Sequence, residues 1–441
     1  MYQYTQSLPL AGSFDIIVAG SGSAGCPAAI AAARQGARTL LIERMPFLGG
    51  TSTAVLDTFY GFYTPGTDPK KVVGGIADEV VARLKTFGAC LERPNTHGVA
   101  GTAITYHPEY LKVVWETLVK ASGCSVILNG WIQDVLLEGN KIKGLVVATK
   151  SGLAVYTADY VIDTSGDADV CFLAGIPYEQ AGEIDPAQTL TTTFKMVNVD
   201  EEKRKSVPKS EINRLMAEAA ETGQYRLPRK EGSDHITPVA HMRATIMTRL
   251  KSYEQVDGKT INATDPSLLS RAEMEGRLQA LEYIGFLKKF VPGYEHAELS
   301  TFGFQIGVRE TRRIYGEYRL NADDVLSARQ FDDQIGLCGA PLEDHHDGAD
   351  TIWRPLPQGK YVGIPYRTLI PRDTVNILVA GRCFSADHVA HSSVRSMGQC
   401  MAMGEAAGTA AALAFRDGKR PVEIDSAELR ILLQKNGAKI N

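Results

Sequence analysis

The spacing of apolar and polar residues predicts a strand, a helix and a second strand near the start of the chain. Asp15 is followed by an uninterrupted apolar run that ends at Ala19, which is typical of a buried strand. The alanine-rich stretch that follows the glycines has the pattern of a helix, and residues 39–42 repeat the strand pattern. Because a glycine-rich turn joins the first strand to the helix, the segment predicts one βαβ unit.

Helical and strand patterns alternate along the rest of the chain. Helices are predicted at 107–123, in a segment that begins after Pro208 with Ser210 as the N-cap, and in a long stretch with Asp265 or Ser267 near its start. Strands are predicted before Thr164, at 191–199 and at 375–380. Such alternation predicts an α/β protein.

The last long helix, predicted at about 397–415, has small residues along one face. Gly404, Gly408 and the alanines around them leave little side-chain bulk, so a second backbone or a flat cofactor can approach closely. Gly418 is expected to end this helix as its C-cap.

The glycine-rich turn has the spacing GxGxxG, formed by Gly20, Gly22 and Gly25. The first glycine makes the tight turn, the second lets the backbone approach a pyrophosphate, and the third lets the helix pack on the strand. Ser23 and Ala24 lie at the predicted helix N-terminus, which favours phosphate binding. Glu43 ends the second strand, where a carboxylate can bind the adenosine ribose. The motif predicts a dinucleotide and leaves NAD and FAD open.

The residues after Glu43 favour FAD. Arg44 is followed by MPFLGGTST, which contains a second glycine pair, Gly49 and Gly50, and then Thr51. This continuation resembles the glutathione-reductase-type FAD proteins, and specifically the branch of the succinate dehydrogenase and fumarate reductase flavoproteins. In that branch the segment lies along the pyrophosphate and ribityl chain of FAD.

The resemblance extends over the whole chain. Segments at 107–149, 160–178, 307–320 and 361–414 are similar, in this order, to the FAD-dependent oxidoreductases related to the fumarate reductase flavoproteins. Thr164, Gly166 and Asp167 resemble the second FAD signature of that family. The resemblance also implies FAD contacts for a further set of residues: Ile132, Gly381, Arg382, Ser393, Arg395 and Met397.

The resemblance implies a Rossmann-like FAD-binding domain of the glutathione-reductase type that is discontinuous in sequence. Its two parts are expected at residues 1–185 and 366–441, because the glycine-rich turn is near one end and the small-residue helix near the other. Residues 186–365 are expected to form an inserted α+β domain that caps the flavin and shapes the substrate pocket.

Composition excludes several other kinds of protein. The chain has 441 residues, 47 basic and 51 acidic side chains and a net charge of −4, without a basic patch for nucleic acid. Its seven cysteines include no CxxC pair, which argues against zinc and iron–sulfur sites and fits a reducing compartment. The sequence shows no signal peptide or membrane span, so a cytoplasmic protein without nucleic-acid or membrane partners is expected. Its oligomeric state is left open.

Two histidines, His388 and His391, lie in the loop before the last long helix. Because this loop is expected near the flavin, either imidazole is a candidate general base, or it only hydrogen-bonds the cofactor or the backbone. Arg395, at the helix N-terminus, is expected to favour the negative charge that the flavin gains on reduction. No metal site is predicted.

Candidate substrate-binding residues are Arg309, Arg312 and Tyr60. Either arginine can clamp a carboxylate, or it forms an ion pair with an acid such as Glu310. Tyr60 either walls the pocket or fills core. The polar run EDHHDGAD at 343–350 is expected to be a solvated loop rather than a metal site.

The leading hypothesis is an FAD-dependent dehydrogenase or oxidase. It removes hydride from a C–O, C–N or C–C bond of a small polar molecule and passes the electrons to an acceptor that the sequence does not identify. One alternative is a fumarate-reductase-like enzyme that reduces an activated double bond. Another is a flavin-bound RNA-associated or binding module, against which the acidic balance counts.

Residues 51–56 contain no histidine or tyrosine, whereas some relatives carry a flavin-linking histidine just after the glycine pair. The FAD is therefore expected to be non-covalent. Acid precipitation of the purified protein should give a colourless pellet and a yellow supernatant; a pellet that stays yellow would contradict this prediction.

Overall fold

A computed structural model describes residues 5–95 and 100–441, in which strands and helices alternate as the sequence predicts. The strands are β1 (Leu10–Ala19), β2 (Thr39–Ile42), β3 (Thr58–Phe59), β4 (Cys90–Arg93), β5 (Ala103–Tyr106), β6 (Ser125–Ile127), β7 (Trp131–Glu138), β8 (Lys141–Thr149), β9 (Gly152–Asp163), β10 (Tyr178–Gln180), β11 (Phe194–Val197), β12 (Ser233–Ile236), β13 (Arg243–Ile246), β14 (Tyr253–Val256), β15 (Lys259–Asn262), β16 (Glu298–Phe302), β17 (Arg312–Ile314), β18 (Gln334–Cys338), β19 (Leu342–Asp344), β20 (Ile352–Arg354), β21 (Val362–Pro365) and β22 (Ile377–Val379).

The helices range from single turns to a helix of 25 residues. They are α1 (Gly25–Arg34), α2 (Thr51–Ala54), α3 (Ile76–Thr86), α4 (Pro108–Ala121), α5 (Asp169–Leu173), α6 (Glu201–Lys205), α7 (Lys209–Glu221), α8 (Pro266–Phe290), α9 (Ala322–Leu326), α10 (His388–Val394), α11 (Met397–Asp417) and α12 (Ser426–Lys435). Short 3₁₀ turns cover Tyr366–Leu369 and Pro421–Glu423. No helix of the described residues is both long and apolar enough to cross a membrane.

The largest sheet joins the two ends of the chain. Its parallel part has the order β6-β2-β1-β9, and β22 lies parallel to the C-terminal half of β9. The antiparallel strands β8 and β7 continue the sheet from the N-terminal half of β9. The predicted βαβ unit is therefore confirmed, and a strand from residues 377–379 pairs with one from 161–163, so both ends of the chain build one sheet.

A second sheet, with the order β12-β13-β11-β16, comes from the middle of the chain. It is antiparallel, and α7 and α8 cover one face with buried side chains such as Met216 and Phe286. This separate hydrophobic core fits the predicted insertion of an α+β region. Residues 320–364 behave differently, because their apolar side chains join the core around α11. The boundary expected at 365 therefore divides a continuous hydrophobic core.

Two helix starts differ in detail from the sequence prediction. α7 begins at Lys209 with Pro208 as its N-cap residue, so Ser210 lies inside the helix and does not cap it. α8 begins at Pro266, and the Asp265 carboxylate accepts hydrogen bonds from the backbone N–H groups of Ser267 and Leu268. Asp265 is thus the N-cap that the sequence left open.

The middle sheet is attached to the rest of the protein by a buried ion pair. Asp57, just before β3, lies 2.8 Å from the imidazole of His235 in β12 and 3.5 Å from the ammonium of Lys195 in β11. Burial by itself would raise the pKa of Asp57, but the charge and hydrogen bond of His235, with the charge of Lys195, prevail and lower it to about 2.

Replacement of the Asp57 carboxylate should therefore lower the free energy of unfolding by an amount that depends on pH. Because the folded pKa lies below the unfolded value of about 4, the stabilising effect is present above about pH 4 and disappears as the pH falls toward about 2. Asp57→Asn should lower the free energy of unfolding by about 2 kcal/mol at about pH 6. Thermal unfolding of FAD-saturated protein across this range tests the expectation, with the exposed Asp347→Asn as control. A deficit that stays constant down to pH 2 would contradict it.

Candidate active site

A cavity of about 1070 Å³ opens at the carboxyl ends of the parallel strands. Its walls include the residues that directly follow β1, β2, β9 and β22, namely Gly20, Glu43, Thr164 and Ala380. This is the edge at which open α/β sheets bind their ligands. The cavity then continues toward the middle sheet, where Thr191 and Thr193 form part of its wall.

The glycine-rich turn has the geometry that its sequence predicts. Gly20 adopts a φ of +97°, which side chains rarely tolerate. A Cβ on Gly25 would collide with the carbonyl oxygen of Gly20, so the helix packs directly on the turn. The Glu43 carboxylate accepts hydrogen bonds from the backbone N–H and hydroxyl of Ser21 at 2.8 and 2.6 Å. Glu43 therefore orders the turn while it also lines the cavity.

Two observations at this turn fit a bound dinucleotide. A Cβ added to Gly22 would meet no protein atom within 4 Å, although Gly22 lines the cavity, so the protein's own packing does not explain the glycine. The hydroxyl of Ser23 is buried and has no hydrogen-bond partner among the described residues. The site therefore offers space and an unused polar atom where the pyrophosphate of FAD is expected.

The second signature lies beside the turn, where the Thr164 hydroxyl donates to the Gly20 carbonyl at 2.7 Å. Asp167 accepts hydrogen bonds from Arg382 at 2.8 Å and from the Thr311 hydroxyl at 2.7 Å. Arg312 donates to the Asp167 carbonyl at 3.0 Å and lies over the ring of Phe172. Arg312 thus lines the cavity beside the cofactor signature, and its guanidinium also lies 3.2 Å from the Asp169 carboxylate. Its role as a substrate clamp stays a prediction.

Most of the predicted cofactor residues line the cavity. They are Gly20, Gly22, Ser23, Ala24, Glu43, Arg44, Gly50, Thr51, Ile132, Thr164, Gly166, Asp167, Gly381, Arg382, Arg395 and Met397. Three predicted residues do not line it. Gly25 and Gly49 support the loops around it, and the Ser393 hydroxyl donates to the Ala340 carbonyl at 2.6 Å.

Arg229, Arg309 and Arg395 gather at the other end of the cavity without an ion-pair partner in the described residues, and Arg93, beside Tyr60 at the same end, has none there either. Arg229, Arg309 and Arg395 all line it, and none has a carboxylate within 4.0 Å in the described residues. Arg309 donates to the Thr189 carbonyl and the Thr191 hydroxyl, and Arg395 donates to the Gln188 side chain at 2.6 Å. Burial foremost, and then the charges of Arg395 and Arg229, lower the pKa of Arg309.

The acidic group whose charge acts on all three arginines is Glu343. Strand β19 pairs with β20 so that Glu343 lies opposite Trp353, and both line the cavity. The imidazole Nε2 of His345 lies 2.9 Å from one carboxylate oxygen of Glu343. The prediction that residues 343–350 form a solvated loop was therefore wrong for Glu343 and His345. Within the described residues, no cluster of His, Cys, Asp and Glu has the arrangement of a metal site.

Tyr60 lines the same end of the cavity, next to Arg93, which is the first of the two alternatives that the sequence left open. The Arg93 guanidinium is held by the hydroxyl of Thr105, which accepts from Nε at 2.5 Å, and by Thr58, which accepts from Nη2 at 3.4 Å. Burial foremost raises the pKa of Tyr60, against the opposing charge of Arg93, so the phenol stays protonated at neutral pH.

The two predicted catalytic histidines do not line the cavity. His391 is completely buried, stacks on Phe384 and makes a 2.8 Å hydrogen bond to the Arg382 carbonyl. His388 lies 3.0 Å from Glu310, which also pairs with Arg313. The predicted loop is the helix α10, which turns both imidazoles toward the protein interior. Within residues 388–395, only Arg395, at the end of this helix, reaches the cavity.

Sequence reasoning missed Arg93, Arg229, Glu343 and His345. Each comes from a segment that reads as an edge strand or a polar loop, and only the pairing of distant strands brings these side chains together. The charge-rich run at 343–350 was the available signal, since its two flanks have the short apolar pattern of a hairpin.

Replacement of Gly22 should remove the cofactor without disturbing the fold. Gly22→Val has room in the protein but fills the space expected for the pyrophosphate, so the Kd for FAD should rise by about tenfold or more, as for about 1.4 kcal/mol of lost binding, and the purified variant should carry less flavin. The thermal midpoint of the cofactor-free protein should stay unchanged. Gly22→Ala gives an intermediate comparison. A fully yellow valine variant would contradict the assignment of this turn to FAD.

Comparison with known proteins agrees with this geometry. The tRNA uridine 5-carboxymethylaminomethyl modification enzyme MnmG of Alkaliphilus metalliredigens is 29% identical over 170 residues, which are 35% of this chain and 24% of that protein. A digeranylgeranylglycerophospholipid reductase of Picrophilus torridus is 28% identical over 195 residues, 43% of this chain and 48% of that protein. The chain thus matches about a quarter to a half of the length of these relatives.

Among solved structures, that of BexE, studied for oxidation during BE-7585A biosynthesis, superposes with a TM-score of 0.50. The superposition covers 96% of this chain and 68% of that one at 14% identity, and it supports the fold alone. The sequence model of the FAD dependent oxidoreductases matches residues 15–433, nearly the whole chain. The chain therefore belongs to the FAD dependent oxidoreductase family, and it is an FAD enzyme with the α/β fold that its sequence predicts.

Proposed function

We propose that this enzyme is a dehydrogenase or oxidase for a small organic anion that carries a carboxylate beside the C–O or C–N bond to be oxidised. The observation that carries the proposal is the group of three arginines at the end of the cavity, Arg229, Arg309 and Arg395, which lack ion-pair partners in the described chain. Bound FAD supplies the hydride acceptor for this reaction.

Unpaired cations in a protein interior are costly, and an anionic ligand offsets that cost. The guanidiniums of Arg229 and Arg395 each have an Nε atom that is buried and without a hydrogen-bond partner in the described residues. The planar donors of arginine match the two oxygens of a carboxylate. The chemistry of these free donors therefore supports a carboxylate rather than a neutral alcohol or a cationic amine as the ligand.

The surrounding residues support orientation of such an anion. Arg309 is fixed by the Thr189 carbonyl and the Thr191 hydroxyl, and Arg395 by Gln188, so two guanidiniums are held in place before a ligand arrives. Arg395 also precedes α11, whose first turn lines the cavity at Met397 and Cys400. The positive end of this helix and Arg395 together favour negative charge on a group bound there.

Binding of an inert dicarboxylate tests the anion site directly. Oxalate titrated into the FAD-loaded enzyme should perturb the flavin absorbance spectrum in a saturable way. Arg309→Gln should weaken this binding by about 30-fold or more, as expected when one partner of a buried charge pair worth about 2 kcal/mol or more is removed. Arg214→Gln, an exposed arginine on α7, is the matched control and should bind oxalate normally. Equal affinity in both variants would contradict the proposal.

The direction of the reaction is tested with anaerobic enzyme. A panel of 2-hydroxy and 2-amino carboxylates should bleach the flavin, whereas the matched alcohols and amines without a carboxylate should not. Pre-reduced enzyme is then mixed with O₂, a quinone or an enoate. Reoxidation by an enoate alone, together with failure of every donor, would favour reduction of an activated double bond instead.

A further inference from the structure

We propose that Glu343, positioned by His345, is the group that exchanges a proton with the anionic substrate in the cavity. The inference rests on the proposed function, since it assumes that an anion binds at Arg309 and Arg395. It assigns the proton step to a carboxylate that the sequence had placed in a solvated loop, in preference to the two buried histidines of α10.

The geometry gives Glu343 the access that the proton step requires. One of its carboxylate oxygens is 2.9 Å from His345, and no described residue hydrogen-bonds the other oxygen. Glu343 lines the same end of the cavity as Arg309 and Arg395. By contrast, His391 is fully buried behind the wall, and the imidazole of His388 faces Glu310 and Asp344.

His345 orients the carboxylate rather than exchanging the proton itself. It is 4% exposed, and burial foremost, followed by the charge of Arg309, lowers its pKa well below the usual range for histidine. The neutral imidazole therefore has its N–H group at Nε2, and this N–H donates a hydrogen bond to the Glu343 carboxylate. The other ring nitrogen, Nδ1, lies 3.5 Å from the Thr351 hydroxyl, on the side of the imidazole opposite to Glu343.

The charged neighbours of Glu343 make its proton affinity depend on the ligand. Burial alone would raise the pKa of Glu343, but His345, Arg395 and Arg309 outweigh it and hold the pKa below its usual range. Arg229 and the phenol of Tyr60 complete the titratable and charged groups around this carboxylate. An anion that neutralises the guanidiniums leaves burial dominant, so the pKa of Glu343 rises when the substrate binds.

The proton balance of the reaction is simple. A substrate H–C–O–H or H–C–N–H loses its C–H hydrogen with two electrons to the FAD. The remaining O–H or N–H bond breaks, its electron pair forms the C=O or C=N bond, and the proton moves to the carboxylate of Glu343, which is ionised in the complex above its raised pKa. The carboxyl group then returns that proton to water after product release. One carboxylate close to the substrate is therefore sufficient for the proton that accompanies each hydride.

Proton uptake on oxalate binding tests this inference without knowledge of the substrate. Calorimetry of the FAD-loaded enzyme in buffers of different ionisation enthalpy should show uptake near about pH 5.5, where oxalate keeps both charges, and the uptake should fade toward about pH 8.5, where Glu343 stays ionised in the complex and can accept a proton. Where the proton is taken up, the Kd should rise with pH by up to about tenfold per pH unit, and it should level off where Glu343 stays ionised. Glu343→Gln should abolish the uptake, flatten the pH profile and bind oxalate more tightly at the upper end.

Three variants distinguish the role of Glu343 from the roles of the residues around it. Asp347→Asn removes an exposed carboxylate from the same loop and should keep the wild-type profile. His345→Asn should keep the uptake but move the profile to higher pH, because Glu343 loses a hydrogen bond that stabilises its charge. Once the donor panel yields a substrate, Glu343→Gln should slow flavin reduction by about 10²- to 10⁴-fold while FAD stays bound.

The outcomes distinguish this inference from the proposed function. Absence of oxalate binding to the wild type would overturn the anion site and the role of Glu343 together. Oxalate binding with a flat pH profile would leave the anion site standing and overturn the role of Glu343. Uptake that persists in Glu343→Gln and is lost in His345→Asn would assign the proton to the imidazole, and would equally overturn it.

Discussion

The contact between the backbones of α1 and α11 is the constraint on which the site depends. A Cβ on Gly404 would collide with the Ala24 carbonyl, and one on Gly408 with the Ala28 carbonyl, so the two helices approach at van der Waals distance. α1 begins at the glycine-rich turn, and α11 begins just after Arg395. Close packing of these helices therefore fixes the distance between the pyrophosphate end and the arginine end of the cavity, although hundreds of residues separate them in sequence.

The second constraint is the charge that the protein encloses around the cavity. Glu310 is completely buried, pairs with Arg313, and accepts hydrogen bonds from the backbone N–H of Gln188 at 3.1 Å. Buried charges of this kind persist only where partners satisfy them. Arg229, Arg309 and Arg395 have no carboxylate within 4.0 Å in the described chain, and neither has the buried Arg249, whose guanidinium donates to the carbonyl oxygens of Gly348 and Asp350. The Nε atoms of Arg229 and Arg395 also lack a hydrogen-bond partner there.

The local parts of this arrangement could be predicted from the sequence, whereas the arginine end could not. The glycine-rich turn, α1, β2 and the small-residue face of α11 depend on neighbours within a few residues, so apolar spacing and glycine positions are sufficient signals. Glu343 reaches the cavity because β19 pairs with β20, and Arg93 does so because β4 pairs with β5. Short strands of this kind have little pattern of their own, and their pairing depends on the whole fold.

The segment with His388 and His391 shows why a correct location in the chain does not by itself bring the predicted side chains into the cavity. The loop does run from the sheet to the start of α11, as its sequence implies, and Arg395 reaches the cavity from it. The imidazoles face inward, where His388 contacts Glu310. Glu310 holds the backbone of Gln188, and the Gln188 side chain accepts from Arg395. Since each link is a hydrogen bond to a buried group, α10, Glu310 and Gln188 together hold the Arg395 guanidinium in position.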